Sequence, residues 1–249
     1  MIWRFHDSGP LPGALNMETD EAMARQLAAG VIGPSLRFYG WRPWALSLGF
    51  HQESSDVDGA ALARAGIGLV RRPTGGKAIL HARELTYCVV LPIEKESPRE
   101  IYRFINERLI AGLRRLGIEA SLSSRDEDFR RLYQDPASLP CFSSSARSEV
   151  LVGGKKLVGS AQRKLGAVIL QHGSILIGPE HRRIAEFLAP HLQVARSEID
   201  RDLREKTTEI ETILGRECSY GEVAAAIREG FALAPDMTLV DANREPALA

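Results

Sequence analysis

Three cysteines in 249 residues, Cys88, Cys141 and Cys218, are too few and too odd in number for a disulfide framework, and they suit a reducing compartment. No two have CxxC spacing. His6, His51, His81, His172, His181 and His191 form no HExxH-type cluster, so no metal site is expected. Net charge is also lacking: 32 Lys plus Arg balance 32 Asp plus Glu, and no overall field draws a nucleic acid. No apolar run approaches the length of a membrane span, and the opening MIWRFHDSGPLPG lacks an apolar signal region. These absences lead us to expect a soluble, cytoplasmic protein without nucleic-acid or membrane partners. What remains is ordinary globular composition, 44% hydrophobic and 26% charged, enough for one large domain.

Hydrophobic periodicity places the elements. Trp3–Asp7 reads as a short strand and Asn16–Ala29 as a helix closed by Gly30. Ser35–Gly49 reads as two strands around Trp41-Arg42-Pro43, Asp56–Ala65 as a short helix, and Leu69–Arg72 as a strand. Ala78–His81 and Leu85–Val90 are further strands, with Cys88 in the core. Ser97–Leu116 is an amphipathic helix whose apolar face is Ile101, Phe104, Ile105, Leu109, Leu113 and Leu116. Ala167–Ile177 reads as a hairpin-like pair around Gln171-His172-Gly173. Pro179–Leu188 and Asp200–Leu214 read as helices, and Ser219 caps a last helix with Glu222 at the reciprocal position. No internal repeat or low-complexity linker divides the chain. The expectation is one domain over residues 1–234, helical from about 179, with 235–249 a frayed tail.

The most informative stretch runs from Leu139 to Arg163, LPCFSSSARSEVLVGGKKLVGSAQR. Two strand-like runs joined by Gly153-Gly154 make a hairpin. Lys156 follows Cys141 by fifteen positions, and the hairpin can fold its ammonium back toward the thiol, where a cation favours the nucleophilic thiolate. Gly159-Ser160-Ala161 leaves room for a ligand at the backbone. A lone cysteine is more often a small buried hydrophobe, however, and a Lys-Lys pair a solvated turn, so spacing alone leaves both readings open. A second motif, RRPTGGKAILHARELTYCVV (Arg71–Val90), is neither GxGxxG nor a Walker loop, and by itself reads as a hairpin with a glycine turn.

Taken together, RRPTGGKAILH, GGKKLVGSAQR and LQHGSILI, in this order and at these separations, resemble the catalytic domain of the lipoate and biotin protein ligase superfamily. LRFYGWRPWALSLGFHQ (Leu36–Gln52) and PCF (Pro140–Phe142) are similar to its cysteine-dependent octanoyltransferases. Lys77 departs from the ligase pattern, which usually has a third glycine there, and puts a positive charge near the pocket mouth.

The resemblance implies an α+β, biotin/lipoate protein ligase-like catalytic domain with mixed, largely antiparallel sheets flanked by helices. It implies transfer of octanoyl from octanoyl-acyl carrier protein to a lysine of a lipoyl-domain protein, such as glycine cleavage H protein or 2-oxoacid dehydrogenase E2, by a monomer. Because the donor thioester is already activated, no cofactor, ATP or metal is implied. Cys141 would be the nucleophile and Lys156 its activating cation. Amides of Gly159, Ser160 and Ala161 would serve as oxyanion donors. Arg72, Gly75, Gly76, His81, His172 and Gly173 would form the acyl walls and carbonyl end. Lys77, Arg125, Arg130 and Arg131 would help dock acidic partners. The rivals are an ATP-dependent lipoate–protein ligase tolerant of Cys141→Ser, an amidotransferase working between lipoyl domains, and a non-catalytic binding module.

Overall fold

The computed structural model describes residues 1–123 and 149–242. Its frame is a large mixed sheet built from β1 (Ile2–Leu11), β2 (Ser35–Trp41), β6 (Glu84–Pro92), β7 (Ser121–Leu122), β8 (Val150–Val152), β9 (Lys155–Leu165), β10 (Val168–Leu176) and β11 (Thr238–Asp241). The order across it is β11-β1-β2-β6-β10-β9-β8-β7. Only β1 pairs in parallel, with β11 and β2; the other neighbours are antiparallel. A smaller sheet sets β3 (Ala45–Leu48) between β4 (Gly68–Arg71) and β5 (Ile79–His81).

The middle strands are covered on both faces, and β6 shows how alternation divides the core. Leu85, Tyr87, Val89 and Leu91 enter a cluster with Ile101, Ile105 and Leu109 of α3 (Pro98–Arg115). Cys88 and Val90, from the opposite face, join Met17 and Ala24 of α1 (Gly13–Ala28) together with Tyr39, Trp41 and Leu170. The start of α3 is fixed by a reciprocal cap: Ser97 Oγ accepts from Glu100 N–H, and Glu100 accepts from Ser97 N–H at 2.7 Å. Its far face packs on α6 (Tyr220–Ala232) where two glycines meet. A Cβ on Gly230 would stand 2.3 Å from the Gly112 nitrogen, so the helices touch backbone to backbone there.

Several expected elements change. The first strand continues to Leu11, because Gly9, at φ +61°, absorbs an irregularity between Asp7 and Pro10. The two strands around Trp41-Arg42-Pro43 belong to different sheets. The Gly75-Gly76 segment is no hairpin turn, since β4 and β5 lie on opposite sides of β3. Val168–Leu176 is one continuous strand rather than a pair; its turn is at Gly166, before the run, and β6 and β9 flank it throughout most of its length. The helix expected over 200–214 is two, α4 (Arg196–Lys206) and α5 (Ile210–Leu214), because buried Thr207, Thr208 and Glu209 turn inward, with Thr208 N–H donating to the Lys156 carbonyl. Glu222 bonds Arg216 rather than closing the cap box. Within the expected tail, Thr238–Asp241 is a strand against β1. Among the described residues, no helix is long and apolar enough to cross a membrane.

Candidate active site

Lys156 is the second residue of β9. Period-two alternation sends Lys155 into solvent and Lys156 inward. Its side chain is 2% exposed, and Nζ donates to Glu149 Oε1 at 2.6 Å; Glu149 is 4% exposed. The Gly153-Gly154 turn, both residues at positive φ, returns the chain so that Leu151 faces Lys156. A register shift between Val150 and Leu151 lies in this hairpin.

Beyond Val158, opposite Val150, β9 outruns β8 while keeping β10 on its other side. Gly159, Ser160 and Ala161 therefore lie on a stretch with no second strand partner among the described residues. The Ser160 carbonyl accepts from the Tyr102 hydroxyl at 3.4 Å, so the Ser160 peptide groups face away from β10. Opposite Ser160 is Gly173, where a Cβ would come within 2.6 Å of the Gly159 oxygen. Only glycine lets these strands close at that point. Tyr87 Oη, 2.6 Å from Ser160 Oγ and taking a hydrogen bond from Gln171, fixes the serine.

Gly159, Ser160, Ala161 and Gly173 line a narrow cleft with a cavity volume of about 20 Å³, and Lys156 and Glu149 are not among its lining residues. Met17, Tyr39, Trp41 and Ile79 give it apolar surface. Ser47, Arg72, His81, Thr86, His172 and Ser174 give it polar surface. Among these polar groups His81 is held on three sides. Its Nε2 is 2.7 Å from Ser47 Oγ, its Nδ1 is 2.8 Å from Glu84 Oε1, and its ring stacks on Trp41 at 3.9 Å. A carboxylate can only accept, so Nδ1 carries a proton directed at Glu84. Burial pushes the Glu84 carboxyl up, but the His81 ring and hydrogen bonds from His81, Thr86 and Ser174 outweigh it, leaving Glu84 below the usual carboxylate range.

A second buried network lies behind His172. Asp20 accepts from Arg37 at 2.7 Å and from the Tyr39 hydroxyl at 2.8 Å, and faces His172 Nδ1 at 3.0 Å. His172 Nε2 is 2.7 Å from Thr74 Oγ1. Burial pulls the His172 pKa below its ordinary value, against the opposing pull of Asp20. Burial, and then Asp20, push the Tyr39 hydroxyl well up. Cys88 is buried beside this network with its thiol raised by burial, as fits a core cysteine.

Arg72, Gly159, Ser160, Ala161, His81, His172 and Gly173 are thus brought to one cleft. Arg72 also serves its own loop: it donates to the carbonyls of Gly75 (2.9 Å), Lys77 (2.7 Å) and Ser47 (3.3 Å). Gly75 and Gly76 are the clasped loop rather than cleft wall, and Gly76 approaches β3 so closely that a Cβ on Gly49 would overlap its oxygen. Lys77 requires correction as a docking residue: the clasp draws it inside, 6% exposed. Cys141, Arg125, Arg130 and Arg131 lie outside the described residues.

Three site acids escaped the sequence reading. Glu149 stands seven residues before Lys156 across a glycine turn, and that spacing is the available signal. Asp20 lies on the buried face of α1 with Asn16, Met17 and Ala24, at helical spacing. Glu84 sits three residues after His81, at the start of an otherwise apolar strand.

The model of the family described as lipoyl protein ligase A/B catalytic domain matches residues 12–232. An octanoyltransferase LipM of Kyrpidia tusciae is 42% identical over 92% of this chain and 86% of its own. LipM of Symbiobacterium thermophilum is 41% identical (95% and 88%), and LipM of Bacillus subtilis 38% (92% and 84%). Among solved structures, a lipoate-protein ligase A bound with ATP superposes with TM-score 0.76 at 23% identity, covering 97% of this chain and 88% of that one. A lipoate protein ligase from T. acidophilum with bound lipoic acid gives 0.75 at 22% (97% and 89%). These last two establish the fold. The chain belongs to the lipoyl protein ligase A/B catalytic domain family, among its octanoyltransferases.

Proposed function

We propose that this protein transfers octanoyl from octanoyl-acyl carrier protein to a lysine of a lipoyl-domain protein through a thioester on Cys141. The observation that carries the reading is the close, nearly full-length likeness to octanoyltransferases. The site chemistry agrees with it. Thioester exchange needs a thiolate, a nearby cation and donors for the oxyanion. The Cys141 thiolate attacks the donor carbonyl and the carrier leaves as its thiolate. The neutral acceptor amine then attacks the new thioester, the C–S bond breaks to release the Cys141 thiolate, and the proton lost by the nitrogen passes to a thiolate or to water as the amide forms. Lys156 supplies the cation, and the Ser160 amide, facing away from β10 on the part of β9 beyond β8, an oxyanion donor, while the Gly159 and Ala161 amides point into the ladder with β10. The cleft beside them takes the acyl chain, gaining about 0.8 kcal/mol per buried methylene. The acid-paired Lys156 and the clasped Arg72 leave the apolar chain to Met17, Tyr39, Trp41 and Ile79. Residues 1–234 act as one catalytic domain in this reading, working as a cytoplasmic monomer without a cofactor.

The test is incubation with octanoyl-acyl carrier protein, followed by intact mass. The expected result is a hydroxylamine-labile octanoyl increment, lost in Cys141→Ser, with passage to an apo lipoyl domain in the absence of ATP. An adduct that survives in Cys141→Ser, or transfer that requires ATP, sinks the proposal.

A further inference from the structure

We propose that Glu149 is a positioning residue for this acyl transfer, acting through Lys156; the inference rests on Lys156 belonging to the reacting centre. Lysine carries its charge on four rotatable bonds and three rotating donors, so an unanchored ammonium is spread over several positions. Here Glu149 Oε1 takes one of those donors at 2.6 Å, and the directions of the others follow from that bond. The main chain beneath is held as well. Lys156 bridges to Thr207 from the break between α4 and α5, and its carbonyl accepts from Thr208 N–H at 3.1 Å. Both side chains of the pair are inside, where an ammonium without a counter-charge is costly. The carboxylate therefore does two things at once: it permits a cation at this buried place, and it fixes where the cation points.

The pairing is local in the chain. Glu149 immediately precedes β8, Lys156 is at the start of β9, and the Gly153-Gly154 turn with the register shift at Val150/Leu151 sets their separation. A carboxylate one residue along would project from the opposite face of the strand. Position and chemistry together give the pair a role in the reaction rather than in strand pairing alone, because two apolar residues would join β8 to β9 without any ion.

The experiment measures steady-state octanoyl transfer and the rate of acyl-enzyme formation in wild type, Glu149→Gln and Glu149→Asp. Glutamine keeps the size and an acceptor oxygen but loses the charge; aspartate keeps the charge and withdraws it by one methylene. We expect kcat and the acylation rate to fall about 10²-fold in Glu149→Gln, the scale of a misplaced catalytic group, with KM for both protein substrates within twofold. Glu149→Asp should recover part of the loss at equal thermal stability. A folded Glu149→Gln with wild-type kcat, or a loss confined to KM, overturns the inference alone. A wild-type protein that forms no acyl-enzyme overturns the proposed function and this role with it.

Discussion

Two buried ionic assemblies flank the cleft, and they are built in opposite ways. Glu149 and Lys156 are seven residues apart across one turn, joined by a bond of 2.6 Å. Asp20, on α1, instead gathers Arg37 and Tyr39 from β2 and His172 from β10, and Arg37 goes on to Asn16 and to Ser8. In the first, a carboxylate meets an ammonium across one hairpin turn. In the second, each polar group answers several others, so the assembly fixes how α1 lies on the sheet. The difference teaches that a buried ion pair can be assembled locally, across one turn, or from distant segments that it then holds together.

The sharpest way to break this comparison is to replace each ion pair by apolar residues of similar size. Lys156→Met with Glu149→Leu removes both charges, which is often neutral for stability, so the fold and melting temperature should hold. Octanoyl transfer, read as product mass, should fall about 10³-fold or more, in the range of a lost catalytic group. Retained transfer would place the pair with architecture. At the other assembly, Arg37→Met with Asp20→Leu should still cost about 3–5 kcal/mol in a denaturant titration, because Tyr39, His172 and Asn16 lose their partners. A melt unchanged by that double variant would show the network to be dispensable.

Acidification tests the buried groups next, His172 of the second assembly among them. His172 and His181 have folded pKa values lowered by burial, His181 to about 4, so the unfolded chain takes up protons first as pH falls. Their contribution is complete above about 6.5, the ordinary histidine value, and is lost as pH falls from there to the folded values. For His181 the full effect is about 3 kcal/mol, at 1.36 kcal/mol per pH unit. Glu84, lowered in the fold, adds stability above its unfolded value near 4.5 that disappears at still lower pH. Denaturant midpoints at pH 7, 5.5 and 4.5 should therefore fall steadily. His181→Gln should flatten the upper part of that decline, and a slope unchanged in that variant would remove the histidine from the account. The smallest effect belongs to Trp41→Phe, which deletes the indole N–H bond to Thr86 Oγ1 at 2.7 Å and should cost about 1 kcal/mol in a denaturant melt.

Local rules carried far in this chain. The helix beginning at Ser97 and the hairpin at Gly153-Gly154 were legible, because a cap, a period of 3.6 and a glycine turn act over few residues. Lys156, His81, His172 and the Gly159–Ala161 stretch were singled out through resemblance; the structure buries Lys156 and brings the others to one cleft. Val168–Leu176 was misread because Gln171, His172 and Gly173 look like a turn until Gly173 is seen facing Ser160 in a doubly flanked strand. The long helix over 200–214 was misread because nothing within it announces that Thr207 and Thr208 turn inward to meet Lys156. Lys77 was read as surface because a lysine's burial depends on the clasp Arg72 forms around its loop.

The sequence by itself determined the family, the hairpin that carries Lys156, and the alternation that sends that lysine inward, since each depends on residue order and short-range geometry. Only the tertiary structure decided that Glu149 meets Lys156, that Asp20 binds groups from two strands, and that Arg72 holds a loop from inside. Those pairings depend on where a charge finds its partner once water is excluded, and a buried ion's partner is chosen by distance in space, which residue order alone does not specify.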